Sequence, residues 1–447
     1  MEPLAPSMRV LITNNALALR AGSELYVRDL ALALLRRGHT PIAFSTDLGE
    51  IARELRAATV PVVDDLNDLG APPDIIHGHH HLDTMTALLH FDRTPAIYFC
   101  HGWTPWQEAP PPRSPRIFRY VAVDDTCRDR LVFQHGIPEA QVQVVLNFVD
   151  LARFRPRSPL PKKPARALIF SNNFSDGDET KMIREACAGF GIALDVIGMG
   201  SGHACSAPET RLGDYDLVFA KARAALEALA VGNAVVVCDK AGLGGMVTAE
   251  NLAEHRRLNF GIRQLREPVT VERVAREVRR YDRSDAAEVS ARIRAEAGLE
   301  PAIDRLLSIY REVIVEAGAQ REFDRSAEAR ATSGYLRWLS PLLKGRQGAE
   351  ARAAQGAHQA AFFQMVTKRM AEERLEIEKR IADQAEQIET LTRHAADRDT
   401  LEALSKQLTQ SRDAAQGQLD QISASRAWRW ISRYERFRQR WISPGRS

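Results

Sequence analysis

The sequence predicts an α/β protein: two Rossmann-like, doubly wound parallel-sheet domains facing a cleft, followed by a helical, coiled-coil-type C-terminal extension. Three observations predict it. Short β-branched apolar runs alternate with amphipathic helical stretches. The alternation pauses at a proline-rich basic stretch and then restarts. Beyond residue 316 the composition turns to Ala, Arg, Glu and Gln, with apolar residues at heptad-like spacing further on.

The first unit opens with the run Arg9–Thr13, short and apolar as a buried parallel strand must be. A small-residue turn and a long amphipathic helix over 24–37 follow, with Gly38 where a helix C-cap belongs and the next strand at 41–45. Further strands are expected at 59–63, 74–77, Ala96–Cys100, 120–123 and 142–146. Prolines at 156, 159, 161 and 164, with basic residues between them, mark a connection. The pattern resumes with strands at 167–171, 194–198, Leu217–Ala220 and Ala234–Asp239 and helices at 179–189 and 223–231. These readings divide the chain into a first Rossmann-like domain (1–158), a second (159–300), a closing helix (301–316), a linker (317–360), a helical or coiled-coil segment (361–423) and an Arg/Trp-rich tail (424–447).

A length of 447 residues exceeds one ordinary core. With 45% hydrophobic and 27% charged residues and a net charge of +3, the composition selects no particular partner. Cys100, Cys127, Cys187, Cys205 and Cys238 lie far apart without ligand spacing, which argues against a zinc site or a disulfide framework and for a reducing cytoplasm. The start lacks the charged and apolar regions of a signal peptide, and no run approaches the roughly 20 apolar residues of a membrane helix. The expectation is a cytoplasmic protein, soluble or peripheral on the inner membrane face.

Open parallel sheets bind ligands beyond the carboxyl ends of their strands, so candidates are sought there. Gly22 and Ser23 sit in the turn feeding the first helix, where unpaired amides can meet a phosphate; steric need for a glycine is the plain alternative. His101 directly follows a strand and precedes Gly102 and Trp103, within reach of a substrate hydroxyl or, more plainly, packed for structure. His77, His79, His80 and His81 would crowd one strand end without a carboxylate or thiolate pattern, so no metal is expected there. Lys221 and Arg223 fall at a strand-to-helix junction, where cations and helix-start amides converge on the place a diphosphate would dock. Glu227 lies one turn further, able to accept hydrogen bonds from a ribose diol; an ordinary i, i+4 Arg–Glu pair is the plain alternative.

Four segments in order resemble the retaining nucleotide-sugar glycosyltransferases of family four, which have the GT-B fold. They are AGSELYVRDLALALLRRGH; DIIHGHHH with IYFCHGW; YVAVDDTCRDRLVFQHGIPEAQVQVVLNFVDLARFRP; and DYDLVFAKARAALEALAVGNAVVVCD, within residues 8–316. The resemblance implies a nucleotide-diphosphate sugar as donor substrate, bound mainly by the second domain. It also implies a glycan, lipid-linked or protein acceptor on the first, and transfer without a metal or other cofactor. It makes Glu227 the second glutamate of the paired-glutamate motif, gripping the ribose. His101 becomes the histidine beside the transferred sugar, and Gly22 and Ser23 part of the phosphate-approaching loop. Lys221 and Arg223 would face the leaving diphosphate, whose oxygens gain charge as the bond breaks. Departures stand out: Phe219 replaces the first glutamate, Ala21 the first glycine and Phe148 a linker glycine, and SNNFSDGDETK offers only Lys181 as a cation.

The leading reading is therefore a glycosyltransferase of bacterial cell-surface polysaccharide synthesis. The alternative is a catalytically degenerate body serving as a scaffold through its helical tail. A dinucleotide dehydrogenase is disfavoured because no Gly-x-Gly-x-x-Gly follows the first strand. In the extension, Met370, Ile377, Ile381, Ile388, Leu391 and Ala395 keep a heptad-like seam that resumes out of step at Leu401, Leu404 and Leu408, suggesting homo-oligomerisation; a single solvated helix is the alternative. Residues 425–446 mix arginines with Trp428, Trp430, Tyr434, Phe437 and Trp441, which suits an anionic membrane surface. No nucleic-acid partner is expected, since nothing but charge suggests one.

Overall fold

A computed structural model of the chain describes residues 6–320, 323–394 and 398–433. It divides into a first unit, Met1–Leu336, and a second, Arg337–Ser447.

The first unit holds both α/β halves. In the first half the strands β1 (Arg9–Thr13), β2 (Thr40–Phe44), β3 (Val62–Val63), β4 (Ile75–His79), β5 (Ala96–Cys100), β6 (Ile117–Ala122) and β7 (Val142–Val144) alternate with helices. Those helices are α1 (Gly22–Arg36), α2 (Glu50–Ala57), α3 (His81–His90) and the short α4 (Asp125–Asp129). The seven strands form one sheet in the order β3-β2-β1-β4-β5-β6-β7, and every pairing is parallel. Strands buried on both faces must be apolar throughout, and Val10, Leu11, Ile12, Ile76, Ile97 and Phe99 are all fully buried. Gly38, at φ +79°, ends α1 by donating its N–H to the Leu35 carbonyl, a left-handed cap that glycine takes without strain.

The second half carries β8 (Arg166–Phe170), α5 (Asp178–Ala188), β9 (Ala193–Ile197), β10 (Leu217–Ala220), α6 (Ala222–Val231), β11 (Ala234–Asp239) and β12 (Gly242–Met246). It continues with α7 (Leu252–Arg257), α8 (Val271–Val278) and α9 (Arg283–Glu296). Its sheet runs β12-β11-β10-β8-β9, with β12 antiparallel to β11 and the other pairings parallel. Two apolar layers sandwich it: Val218, Leu226, Leu229, Val235 and Val237 on one face, Ile169, Ile183, Phe219, Val236 and Cys238 on the other. All five cysteines are free thiols.

The chain crosses between the halves twice, and the crossings are zipped together. The Val149 N–H donates to the Ala297 carbonyl and the Leu299 N–H to the Val149 carbonyl, at 2.9 and 3.0 Å. Helix α10 (Leu299–Ala319) then returns to the first half, where Arg37 pairs with Glu300 and the Tyr310 hydroxyl meets His77 Nδ1 at 2.5 Å.

Local details differ from the sequence reading. Strand β3 is two residues long rather than 59–63, because Thr59 and Val60 donate to the carbonyls of Arg56 and Leu55 and so finish α2. Strand β12 was not foreseen: GLGGM has no apolar alternation, and it is an edge strand with Gly242 at φ +154°. Residues 317–360, read as a linker, are helical from Arg325 as the start of α11 (Arg325–His394), which follows from their Ala, Arg, Glu and Gln content.

The second unit contains the rest of α11, then α12 (Arg398–Ala424) and a further helical turn pair over 426–433. The end of α11 and α12 pack antiparallel. Gln384 donates to Ser411 Oγ at 3.0 Å, and Ile388, Leu391, Leu401, Leu404 and Leu408 enclose a small cavity of about 110 Å³ between them. Part of the seam that suggested self-association, Ile388 and Leu391 with Leu401, Leu404 and Leu408, lies between two helices of one chain, while Ala395 falls outside the described residues. Of the tail, 434–447, with Tyr434, Phe437 and Trp441, lies outside the described residues.

Candidate functional site

Helix α1 begins at Gly22, and a Cβ added there would meet nothing within 4 Å, so this turn opens on free space. Ser23 Oγ donates to the Glu24 carboxylate at 2.9 Å. Burial raises the Glu24 carboxyl above its ordinary range, and the nearby His80 partly offsets this. Two turns along the same helix, Asp29 is 4% exposed and holds Arg28 at 2.7 Å.

Strand β4 places His77 and His79 on one face, as alternation requires, and β5 brings His101 to the same end of the sheet. The rings of His77 and His79 stack at 4.6 Å, as do those of His79 and His101, and His101 Nε2 meets His79 Nδ1 at 2.6 Å. The other ring nitrogen of His101, Nδ1, takes no part in this contact. Burial is the main cause that lowers the His101 imidazole to about 4; Glu108 opposes it, while His80 and Arg223 reinforce it. The ring is neutral near pH 7 and can accept or donate one hydrogen bond.

Glu108, in the loop after β5, braces this end. It accepts the His101 backbone N–H at 2.9 Å and pairs with His80 Nε2 at 3.3 Å. Burial alone would raise the Glu108 carboxyl, but the hydrogen bond and charge of His80 and the backbone N–H of His101 hold it below its ordinary value. His80 stands at φ +58°, with Nδ1 accepting the Asn15 N–H at 3.0 Å, so the histidine run turns away from the strand at that residue. His77, His79 and His101 thus make ring-to-ring contacts in place of a ligand cage, and among the described residues no group of three His, Cys, Asp or Glu could hold a metal. Tyr26 of α1 fills the remaining space, with its ring 4.6 Å from His101 and 4.9 Å from Phe148. The residue standing in place of a linker glycine is therefore packed inside the site, 2% exposed.

From the second half, α6 starts immediately after β10 with Lys221 as an N-cap whose side chain does not cap the helix. Ala222 takes φ +49° and donates its N–H to the Phe260 carbonyl, a conformation a β-carbon tolerates poorly outside a functional turn. Arg223 Nε donates to Glu227 at 2.8 Å, and its Nη2 forms an ion pair with Asp29 of the first half. Burial alone would lower the guanidinium's pKa; Asp29 first and then Glu227 raise it. The two acids fare differently. Arg223 and Arg28 overcome burial to hold Asp29 low, whereas burial raises Glu227 more than Arg223 lowers it. Arg153 of the interdomain connection joins Asp29 to Glu209 at 3.5 and 3.2 Å, beside a cavity of about 340 Å³ that these residues help line.

Lys221 diverges from Arg223. It pairs with Asp239 at the end of β11, and the Asp239 carboxylate also accepts from Asn173 at 3.0 Å and Ser171 at 3.4 Å. These residues cap the carboxyl ends of β8, β10 and β11, on both sides of the sheet's switch point between β8 and β10. Lys181, by contrast, is a surface residue bound to Asp178 at 3.4 Å. Phe219 is fully buried within β10, so its side chain belongs to the core and not to the cleft.

The structure thus gathers His101, Arg223 and Glu227 around the boundary between the halves, sets Lys221 at a separate polar cap and leaves Gly22 and Ser23 on an open turn. Sequence reasoning missed Asp29, Glu108, Asp239 and Tyr26. Asp239 is the last residue of its strand, a signal that was present; Glu108 sits eight residues past the end of β5, and Asp29 and Tyr26 are ordinary helix positions whose partners are remote in sequence.

Comparisons with known proteins bear on this arrangement. The model of the Glycosyltransferase Family 4 family matches residues 65–153, the stretch that carries the histidines, Glu108 and Phe148 but neither Gly22 nor α6. No curated protein matches the chain. Among solved structures, a glycosyltransferase from Rickettsia africae is similar at 14% identity and a TM-score of 0.50, over 69% of this chain and 99% of that one. Anabaena HepE in complex with UDP and glucose shares 14% identity, with a TM-score of 0.48, over 68% and 100%. MurG of Acinetobacter baumannii shares 15%, with a TM-score of 0.41, over 69% and 100%. Two parallel-sheet halves joined by a double crossing, with a returning helix and a long helical C-terminal region, give this chain the GT-B fold, and its segment 65–153 is similar to glycosyltransferase family four.

Proposed function

We propose that the chain transfers a sugar from a nucleotide-diphosphate donor to a glycan, lipid-linked or protein acceptor. The transfer keeps the anomeric configuration, uses no metal and serves bacterial cell-surface polysaccharide synthesis. The observation that carries the transferase reading is the ion pair of Arg223, at the start of α6, with Asp29 of α1, the helix whose Tyr26 ring packs 4.6 Å from that of His101. The donor's diphosphate lies at the α6 start, where helix amides and Arg223 stabilise the charge that grows on the leaving oxygens. Glu227 accepts the ribose hydroxyls, and the neutral His101 orients the sugar through its Nδ1. Gly22 and Ser23 approach the phosphates from the first half, while Lys221, held by Asp239, lies apart from them.

In this reading Asp29 occupies Arg223 until the donor arrives, and the phosphate exchanges one anion for another. The test is thermal stabilisation by a panel of nucleotide-diphosphate sugars. A donor at one hundred times its Kd stabilises by about 2.7 kcal/mol. Glu227→Ala, folded but unresponsive to the best donor, is the expected result; a variant that binds as tightly as the wild type removes Glu227 from the site.

The Asp29 contact and the burial of Phe219 also favour a second reading, a degenerate body acting as a scaffold through its helical extension. Failure of every donor to stabilise both the wild type and Asp29→Asn selects it.

A further inference from the structure

The last described stretch of the chain is set apart from everything before it by charge. Residues 425–447 contain seven arginines and one acid, Glu435, so their formal charge exceeds the +3 of the whole protein and the remaining residues are net negative. Ser425 interrupts the helix and restarts it, its Oγ accepting the Trp428 N–H at 3.0 Å. The restarted turns bury Ile431 at 6% exposed and turn Arg426, Arg429 and Arg433 outward, with the Trp430 indole 72% exposed among them. Arg426, Arg429, Arg433, Trp428 and Trp430 together line one open surface, so cations and indoles are presented side by side. Beyond the described residues the sequence keeps the pairing of an arginine with the aromatic residue after it, at Arg433 and Tyr434, Arg436 and Phe437, and Arg440 and Trp441.

We propose that this arginine-aromatic stripe is a docking surface for an anionic phospholipid bilayer. Arginines meet the phosphate headgroups while aromatic rings one position on enter the interfacial layer, the side-by-side arrangement a flat charged surface requires. The occupant is lipid and not a transmembrane partner of the chain itself: among the described residues no helix is long and apolar enough to cross a membrane. The surface stands on residues remote from Arg223 and His101, so its test is independent of donor chemistry.

The full chain is sedimented with vesicles of phosphatidylcholine containing one quarter phosphatidylglycerol, and with vesicles of phosphatidylcholine alone, without any sugar donor. Binding only to the anionic vesicles, weakened by added salt, is expected. Arg429→Glu combined with Arg433→Glu lowers partitioning by at least about tenfold, since each basic residue contributes roughly fivefold. Trp430→Ala lowers it several-fold, and because Trp430 is exposed the variant folds as the wild type does, checked by circular dichroism. Equal binding to both vesicle types overturns the proposal, as does no binding to either. A preference for single-stranded RNA over anionic vesicles that Trp430→Ala leaves unchanged also overturns it, in favour of nucleic acid.

Discussion

Arg223 and Asp29 form a buried ion pair that joins the start of α6 in the second half to α1 in the first, and the same guanidinium holds Glu227 at 2.8 Å. The guanidinium is thereby kept charged, oriented and occupied by a carboxylate of the opposite half. Breaking such a pair without replacement leaves an uncompensated charge, so the contact resists opening until another anion substitutes.

Asp29→Asn tests the exchange. The variant loses about 3 kcal/mol of stability without ligand, the usual consequence of removing one partner of a buried pair. It also binds a nucleotide diphosphate several-fold more tightly, because no carboxylate has to be displaced. Chemical denaturation and calorimetric titration on the same samples check both; weaker stability with unchanged or poorer binding contradicts the exchange.

Restoring a glutamate at position 219 gains nothing. Phe219 lies in the core beside Ile169 and Val236, so Phe219→Glu buries a charge without a partner and costs at least 3 kcal/mol. A soluble, stable variant with raised transfer activity is the outcome that would refute the placement of this side chain.

His101 and its brace predict a pH dependence. The folded imidazole titrates near 4 against an ordinary 6.5. The unfolded chain therefore binds the extra proton first, and the stability this neutral ring contributes is complete above 6.5 and lost as pH falls toward 4. Transfer activity of the folded protein declines later, as its own ring takes up a proton at about 4. His101→Ala lowers kcat by about a hundredfold, and Glu108→Gln, which frees the His101 loop and His80, lowers kcat with little change in donor KM.

Asp83 carries the opposite sign. Burial raises its carboxyl from 3.8 to about 6, with His80 opposing. The folded state thus keeps a proton that the unfolded state releases, and stability present below 3.8 is lost as pH rises through 6. Asp83→Asn removes that loss, raising stability above pH 6 by at most about 3 kcal/mol while changing little below pH 4. Thermal melts across pH 4–8 measure it; a variant equally stabilised at both ends would refute it.

Gly200 tests the loop beyond β8. A Cβ there would stand 2.5 Å from the Phe174 carbonyl oxygen and 2.7 Å from that of Asn172. Gly200→Ala therefore displaces the 171–174 turn, costs about 2 kcal/mol and weakens donor binding through Ser171 and Asn173. Unchanged melting and binding would show that the turn yields freely.

Much of the fold was legible from residue order alone. Runs such as Arg9–Thr13, Ala96–Cys100, Leu217–Ala220 and Ala234–Asp239 are strands because they must be apolar on both faces, and the proline-rich stretch marked the passage between halves. Strand β12 was hidden because an edge strand of glycines has no side-chain periodicity to read. The helical hairpin was hidden because a broken heptad looks the same whether the chain reverses or a partner changes register. His101, Arg223 and Glu227 were recognisable as chemistry at strand and helix ends. Tertiary structure alone decided that Arg223 and Lys221 part company, that Phe219 is core, and that Asp29, Tyr26, Glu108 and Asp239 complete the arrangement. The physical reason is range: backbone periodicity and capping act over a few residues and are written locally. The pairing of Arg223 with Asp29, far apart in the chain, exists only once two independently formed sheets are brought face to face.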